Sequence, residues 1–161
     1  MSNETSSRTH PEAVTVERLI PADPEVIFDL LAHPERHSEF DGSGTVRRSL
    51  RSGRKVALGD SFGMSMKWGL PYATRNVVRE YEENRLIAWQ TLAPSPLDKV
   101  FTGRTWRYEL EPVDDATLVR ETWDTSTERP LTRTLIRKRL GGLTRRNMER
   151  TLERIEAAVT R

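Results

Sequence analysis

Ile20-Pro21-Ala22-Asp23-Pro24-Glu25-Val26-Ile27-Phe28-Asp29-Leu30-Leu31-Ala32-His33-Pro34 is the stretch on which the reading of the fold turns. Just before it, Ala13–Ile20 alternates, with Val14, Val16 and Ile20 on one side and Thr15 and Glu17 on the other. Such alternation predicts a strand. Pro21 ends it, because proline has no N–H to donate to a ladder. Asp23 followed by Pro24 reads as a helix start, with an N-cap carboxylate and proline at the first helical position. Val26, Ile27, Leu30 and Leu31 then recur at helical spacing and predict a short amphipathic helix ending before Pro34. A second short helix or turn over residues 34–40 leads into Asp41-Gly42-Ser43-Gly44, a loop signal.

Downstream, the pattern changes to antiparallel strands. Residues 45–50 form one candidate, followed by a turn region over 51–58. Residues 60–68 alternate most clearly: Phe62, Met64, Met66 and Trp68 share a face, and Ser61, Gly63, Ser65 and Lys67 take the other. Leu70-Pro71 is expected to break that strand. Residues 72–81 and 85–92 make a hairpin around Glu82-Glu83-Asn84, while residues 93–100, with Pro94 and Pro96, read as a loop. Residues 101–110 and 117–125 form the last hairpin. After Glu128 the period becomes helical. Pro130 opens a segment whose expected buried stripe is Leu131, Leu135, Ile136 and Leu140, interrupted at Gly141-Gly142. Met148, Leu152, Ile155 and Val159 then continue at four, three and four residues. Residues 143–160 alone would extend about 27 Å.

Composition narrows the function classes. The chain has 161 residues, 35% hydrophobic, with no cysteine and 26 Lys+Arg against 24 Asp+Glu. The absence of cysteine excludes a disulfide scaffold, an iron–sulfur site and a thiol nucleophile. Residues 1–12 are polar and without periodicity, so they are expected to form a disordered tail ahead of a single domain over 13–161. No apolar run approaches the ~20 residues of a membrane span. The amino terminus lacks the apolar stretch of a secretory signal, and a cytoplasmic location is the default expectation. His33 and His37 lie four apart with Glu39 and Asp41 following, but Pro34 interrupts the helical spacing, so no metal site is assigned. There is no nucleophile elbow and no phosphate loop, and without alternating strand–helix units a dinucleotide cofactor is not expected. No cofactor is assigned.

The order is one strand, two short helices, six strands and a long carboxy-terminal helix. Residues 20–34, together with Trp106-Arg107-Tyr108-Glu109-Leu110-Glu111-Pro112 and Thr117-Leu118-Val119, resemble the SRPBCC superfamily. That superfamily includes START lipid-transfer domains, polyketide cyclase/dehydrase-like proteins and birch-pollen-allergen-like proteins. The resemblance covers roughly residues 13–160. It implies an α+β helix-grip fold: a curved seven-stranded antiparallel sheet and two short helices around a long last helix, enclosing a cavity for an apolar or amphipathic molecule. The superfamily has no fixed catalytic motif, so no catalytic residue is carried over.

Strand parity then supplies candidate ligand-binding residues. Trp106, Tyr108 and Leu110 share a face with Arg104; Val119, Glu121 and Trp123 form the matching face of the next strand. With Phe62, Met64, Met66 and Trp68, and with Trp89 added, these make an aromatic and thioether lining holding two charged groups. Alternation assigns no face to residues 72–81. The plain structural reading of this lining is ordinary core, with Glu121 and Arg104 as a paired charge. The alternatives are a polar anchor for a ligand hydroxyl or carbonyl, and acid–base work by Glu121.

Charge is unevenly placed. Residues 129–161 hold ten Arg or Lys against three Glu, while residues 1–128 hold 16 bases and 21 acids. The basic segment reads as a solvated helix face, or as attraction to an anionic partner such as a membrane surface in transient contact. No nucleic-acid module appears. Three functions remain open: binding or transport of a small lipid- or polyketide-like molecule, a cyclase/dehydrase-like enzyme using Glu121, Arg104 and Tyr108, and a co-chaperone-type interaction through the basic helix. Oligomeric state is not legible.

Overall fold

Alternation along Ala13–Ile20 forms the expected strand, β1, in a computed structural model that describes residues 13–49 and 53–161. The expected tail, residues 50–52 of the expected strand and turn, and the side chain of Trp68 lie outside the described residues. Helix α1 spans Pro24–Ala32, with Asp23 at its N-cap in extended backbone. The Asp23 side chain makes no cap hydrogen bond; its carbonyl accepts from the N–H of Val26 and Ile27. Ile27, Phe28, Leu30 and Leu31 are fully buried, whereas Val26 is exposed, which narrows the expected apolar stripe. A 3-10 turn, Pro34–Arg36, leads into the one-turn helix α2, His37–Phe40.

Six further strands follow: β2 Val46–Ser49, β3 Ser61–Trp68, β4 Leu70–Glu82, β5 Leu86–Leu92, β6 Arg104–Val113 and β7 Ala116–Asp124. All pair antiparallel in the order β1-β7-β6-β5-β4-β3-β2. Two expected boundaries change. The break at Leu70-Pro71 shrinks to Gly69, whose φ of +74° makes the turn, so that β4 starts at Leu70. β6 starts at Arg104 and not at residue 101, because Gly103 at φ +105° interrupts the extended backbone. The loop before it contains a 3-10 turn, Leu97–Lys99.

Helix α3, Pro130–Val159, curls the sheet around itself in the helix-grip arrangement. It runs unbroken through Gly141-Gly142, contrary to the expected interruption, and is about 45 Å long. Two glycines cost a helix only about 2 kcal/mol, and the turns on both sides outweigh that. Its expected amino-terminal stripe is corrected as well. Ile136 is buried and Leu140 packs half-buried against the core, but Leu131 is 88% and Leu135 55% exposed.

The carboxy-terminal half packs. Met148, Leu152 and Ile155 join one core with Ile20, Ile27, Phe28, Leu31, Ile87, Leu110 and Val119. Gly42 lets the loop after α2 touch this half, since a Cβ there would lie 2.1 Å from the carbonyl of Asn147. The Gly42 N–H donates to Thr151 Oγ1 at 2.9 Å.

Candidate functional site

Register assigns the face that alternation leaves undecided. Met66, Met64 and Phe62 of β3 stand opposite Tyr72, Thr74 and Asn76 of β4, so these β4 residues share the concave face. The same face continues through Trp89 and Thr91 of β5, Arg104, Trp106 and Tyr108 of β6, Glu121 and Trp123 of β7, and Val14 of β1. The expected candidates other than Trp68 therefore fall on one surface, the one turned toward α3.

The middle of that surface is a stack of rings ending in an acid. His37 stacks on Trp89 at 4.9 Å between centroids, and Trp89 stacks on Tyr108 at 5.4 Å. Phe62 meets His37 and Trp89 edge-on. The Tyr108 hydroxyl donates to Glu121 Oε1 at 2.8 Å. Glu121 is 1% exposed and its Oε2 has no hydrogen-bond partner among the described residues. Burial pushes its carboxyl up from 4.5 to about 8, against the smaller lowering by the Tyr108 hydrogen bond. Glu121 is accordingly the neutral acid at pH 7, able to donate a hydrogen bond from the unpartnered oxygen. The Tyr108 phenol is raised well above its usual value, first by burial and then by Glu121.

His37 is the residue that sequence reasoning placed elsewhere. It is buried, its Nε2–H donates to the Leu31 carbonyl at 2.8 Å, and burial lowers its pKa from 6.5 to about 4. His33 turns instead to the Asp29 carbonyl at 2.7 Å. Two buried polar side chains on the concave side also went unread. Asn76 Oδ1 accepts from the Thr91 hydroxyl at 2.6 Å, and Glu128 Oε2 accepts from the Thr102 N–H at 2.9 Å. Only the inward parity of β4, invisible without its register, could have found Asn76.

The expected charge pair is corrected. Arg104 does not meet Glu121: its Nε lies 3.5 Å from Oε1 of the buried Glu128, just before α3. Arg104 lies four residues from Tyr108 on β6, about 13 Å along the strand. The expected trio of Glu121, Arg104 and Tyr108 is thus divided, with Tyr108 and Glu121 together and Arg104 at the open end of the sheet.

At that end a groove of about 600 Å³ opens between β1, β7 and the first half of α3. Val14 and Trp123 line it from the sheet; Pro130, Arg133, Thr134, Arg137, Lys138 and Gly141 line it from the helix. Of the expected residues, Trp123 is the one at its floor, where it is only 1% exposed. Phe62, Met64, Trp89, Tyr108 and Glu121 lie buried behind, while Met66 and Trp106 are half-buried. Trp106 stands opposite Trp123 with the rings 6.3 Å apart. The groove therefore has an apolar floor and a cationic wall.

Comparison with known proteins agrees with this architecture. A family model described as polyketide cyclase/dehydrase and lipid transport matches residues 11–160. One hundred residues are 38% identical to the uncharacterized protein Rv0088 of Mycobacterium tuberculosis. They make up 61% of this chain and 41% of that protein, so the match spans about two fifths of the relative's length. Among solved structures, protein MLL2253 of Mesorhizobium loti superposes with a TM-score of 0.66 at 21% identity, covering 90% of this chain and 94% of that one. Ginseng major latex-like protein 151 from Panax ginseng does so with a TM-score of 0.62 at 14% identity, covering 91% and 96%. Likeness at these identities is likeness of fold.

Proposed function

The chain belongs to the polyketide cyclase/dehydrase and lipid transport family of the SRPBCC superfamily, and from that premise we propose that it binds and carries one small amphipathic molecule in the groove beneath α3. Family and helix-grip fold together support a ligand-binding role. The observation that carries the finer reading is the groove itself, whose volume lies within the ~300–1,000 Å³ of small-molecule sites. An apolar body lies over Val14 and Trp123, and a polar or anionic end meets Thr134, Arg137 and Lys138. The half-buried Trp106, its ring 6.3 Å from that of Trp123, extends the same lining inward.

Gly141 provides the test. It lines the groove, yet a Cβ there meets nothing within 4 Å, so Gly141→Leu fills the groove without disturbing the helix. Native mass spectrometry of the protein purified from its source is expected to show a retained small molecule, absent from Gly141→Leu. A molecule retained equally by both variants overturns the groove as the site. No retained molecule, with no uptake of a long-chain fatty acid or its alcohol, overturns the binding reading.

A cyclase/dehydrase-like reaction is the second reading, favoured by the unpartnered Oε2 of a neutral Glu121. It requires a ligand oxygen to reach Oε2, where Glu121 would act as general acid. A loaded structure with the ligand confined to the groove removes it.

A further inference from the structure

The outer face of α3 carries a pattern that neither the core nor the groove uses. Leu131, Leu135, Arg139, Gly142 and Arg146 follow one another at four, four, three and four residues, which places them on one side of the helix. All five are exposed, Leu131 more than Leu135. Ile136 and Met148, turned the other way, are buried. Near the helix start the 3-10 turn adds Leu97 and, just after it, Val100, each 51% exposed. The Val100 carbonyl accepts from the Thr132 hydroxyl at 3.4 Å, which holds that turn beside the first turn of α3. An exposed aliphatic tip of this kind is a marked interaction feature on a folded chain.

Charge decides what the tip meets. From Arg129 to Met148 there are seven Arg or Lys and no Asp or Glu. Arg139 and Arg146 make no ion pair or hydrogen bond among the described residues. We propose that this face docks on an anionic lipid surface, with Leu131, Leu135, Leu97 and Val100 entering the headgroup boundary and Arg139 and Arg146 lying against the phosphates. A helix lying in the interface needs this arrangement of leucines bordered by cations. A nucleic acid would leave the leucines without a role. A second copy of the chain would bring two such cationic segments together, at the expense of like-charge repulsion. The face lies apart from the groove-lining flank, so the docking stands on different residues from the ligand reading.

Vesicle co-sedimentation of the full chain tests it. The wild type is expected to bind vesicles of mixed phosphatidylcholine and phosphatidylglycerol, not phosphatidylcholine alone, and to dissociate as salt is raised. Leu131→Asp/Leu135→Asp is expected to abolish binding. Arg139→Glu/Arg146→Glu is expected to weaken it by on the order of tenfold or more, at roughly 1 kcal/mol per basic residue near the surface. All four positions are exposed, so the variants retain the fold, which circular dichroism checks. Absence of wild-type binding to the mixed vesicles overturns the proposal, as does equal binding to both vesicle types. So does a dimer in solution, free of lipid, that Leu131→Asp/Leu135→Asp dissolves.

Discussion

From Met148 onward α3 is gripped on several sides, whereas before Leu143 the same helix reaches the core through Ile136 and the partly buried Leu140 and leaves its other flank exposed. The later half buries Met148, Leu152 and Ile155, receives the loop after α2 through Gly42 and Thr151, and ties Arg154 to the Asp41 carbonyl at 2.8 Å. In the earlier half Ile136 is buried, Arg133, Arg137 and Lys138 wall a groove, and Leu131 and Leu135 stand in solvent. One continuous helix thus divides its labour. Apolar residues at core spacing secure the fold in one half, and the other half carries a run of cations along an exposed flank.

The sharpest way to break that contrast is to truncate one leucine from each half. Leu152→Ala is expected to destabilise the protein by about 2–5 kcal/mol, through lost burial and a cavity the core cannot fully close. Leu131→Ala should change stability by less than about 0.5 kcal/mol, as a surface substitution does. Urea denaturation of both variants measures the difference. Equal costs would mean that the two halves are held alike.

Glycines give the next contrast, with opposite signs. A methyl group at Gly42 would sit 2.1 Å from the Asn147 carbonyl and 2.5 Å from the Thr151 nitrogen, both backbone atoms that cannot step aside. Gly42→Ala is expected to cost about 3 kcal/mol, by overpacking. At Gly142, inside the helix with nothing within 4 Å, alanine is expected to stabilise by about 1 kcal/mol. Thermal melting of the pair reads both shifts. A neutral Gly42→Ala would show that the loop after α2 does not clamp α3.

The gripped half was legible because its sequence agrees with itself at every level. Spacing, apolar identity and the interleaved Glu149, Glu153 and Arg150, Arg154 all point to one buried stripe. The strand–proline–helix stretch over residues 13–32 was legible for the same reason. Leu131 and Leu135 misled, since helical spacing identifies a stripe but not what the stripe faces. The pairing of Arg104 with Glu128 was not legible either: parity places two charges on one face, while the partner comes from a loop with no period. His37 escaped because its burial depends on α2 folding under β5, a long-range placement with no local signature. Parity alone puts Trp123, Tyr108 and Glu121 on one face, and the β6–β7 register then sets Tyr108 opposite Glu121.

That buried contact supplies the most specific prediction, because its titration belongs to the packed interior. Glu121 titrates at 4.5 in the unfolded chain and at about 8 when folded; His37 titrates at 6.5 unfolded and at about 4 folded. Between pH 4.5 and 6.5 the native state keeps a proton on Glu121 that the unfolded chain releases. Over the same range it refuses one on His37 that the unfolded chain binds. The two slopes cancel, and these groups leave stability flat. Between pH 6.5 and 8 only Glu121 differs, the native state holds the extra proton, and stability falls as pH rises by roughly 1.4 kcal/mol per unit. Glu121→Gln keeps an acceptor for the Tyr108 hydroxyl and removes the proton. In that variant stability should rise with pH from about 4 to 6.5, through His37, and stay level to pH 8 and beyond. Urea unfolding of both proteins from pH 5 to 9 compares the curves. A wild-type curve without the fall above pH 6.5, or a fall that survives Glu121→Gln, would place the Glu121 carboxyl in water and not behind the ring stack.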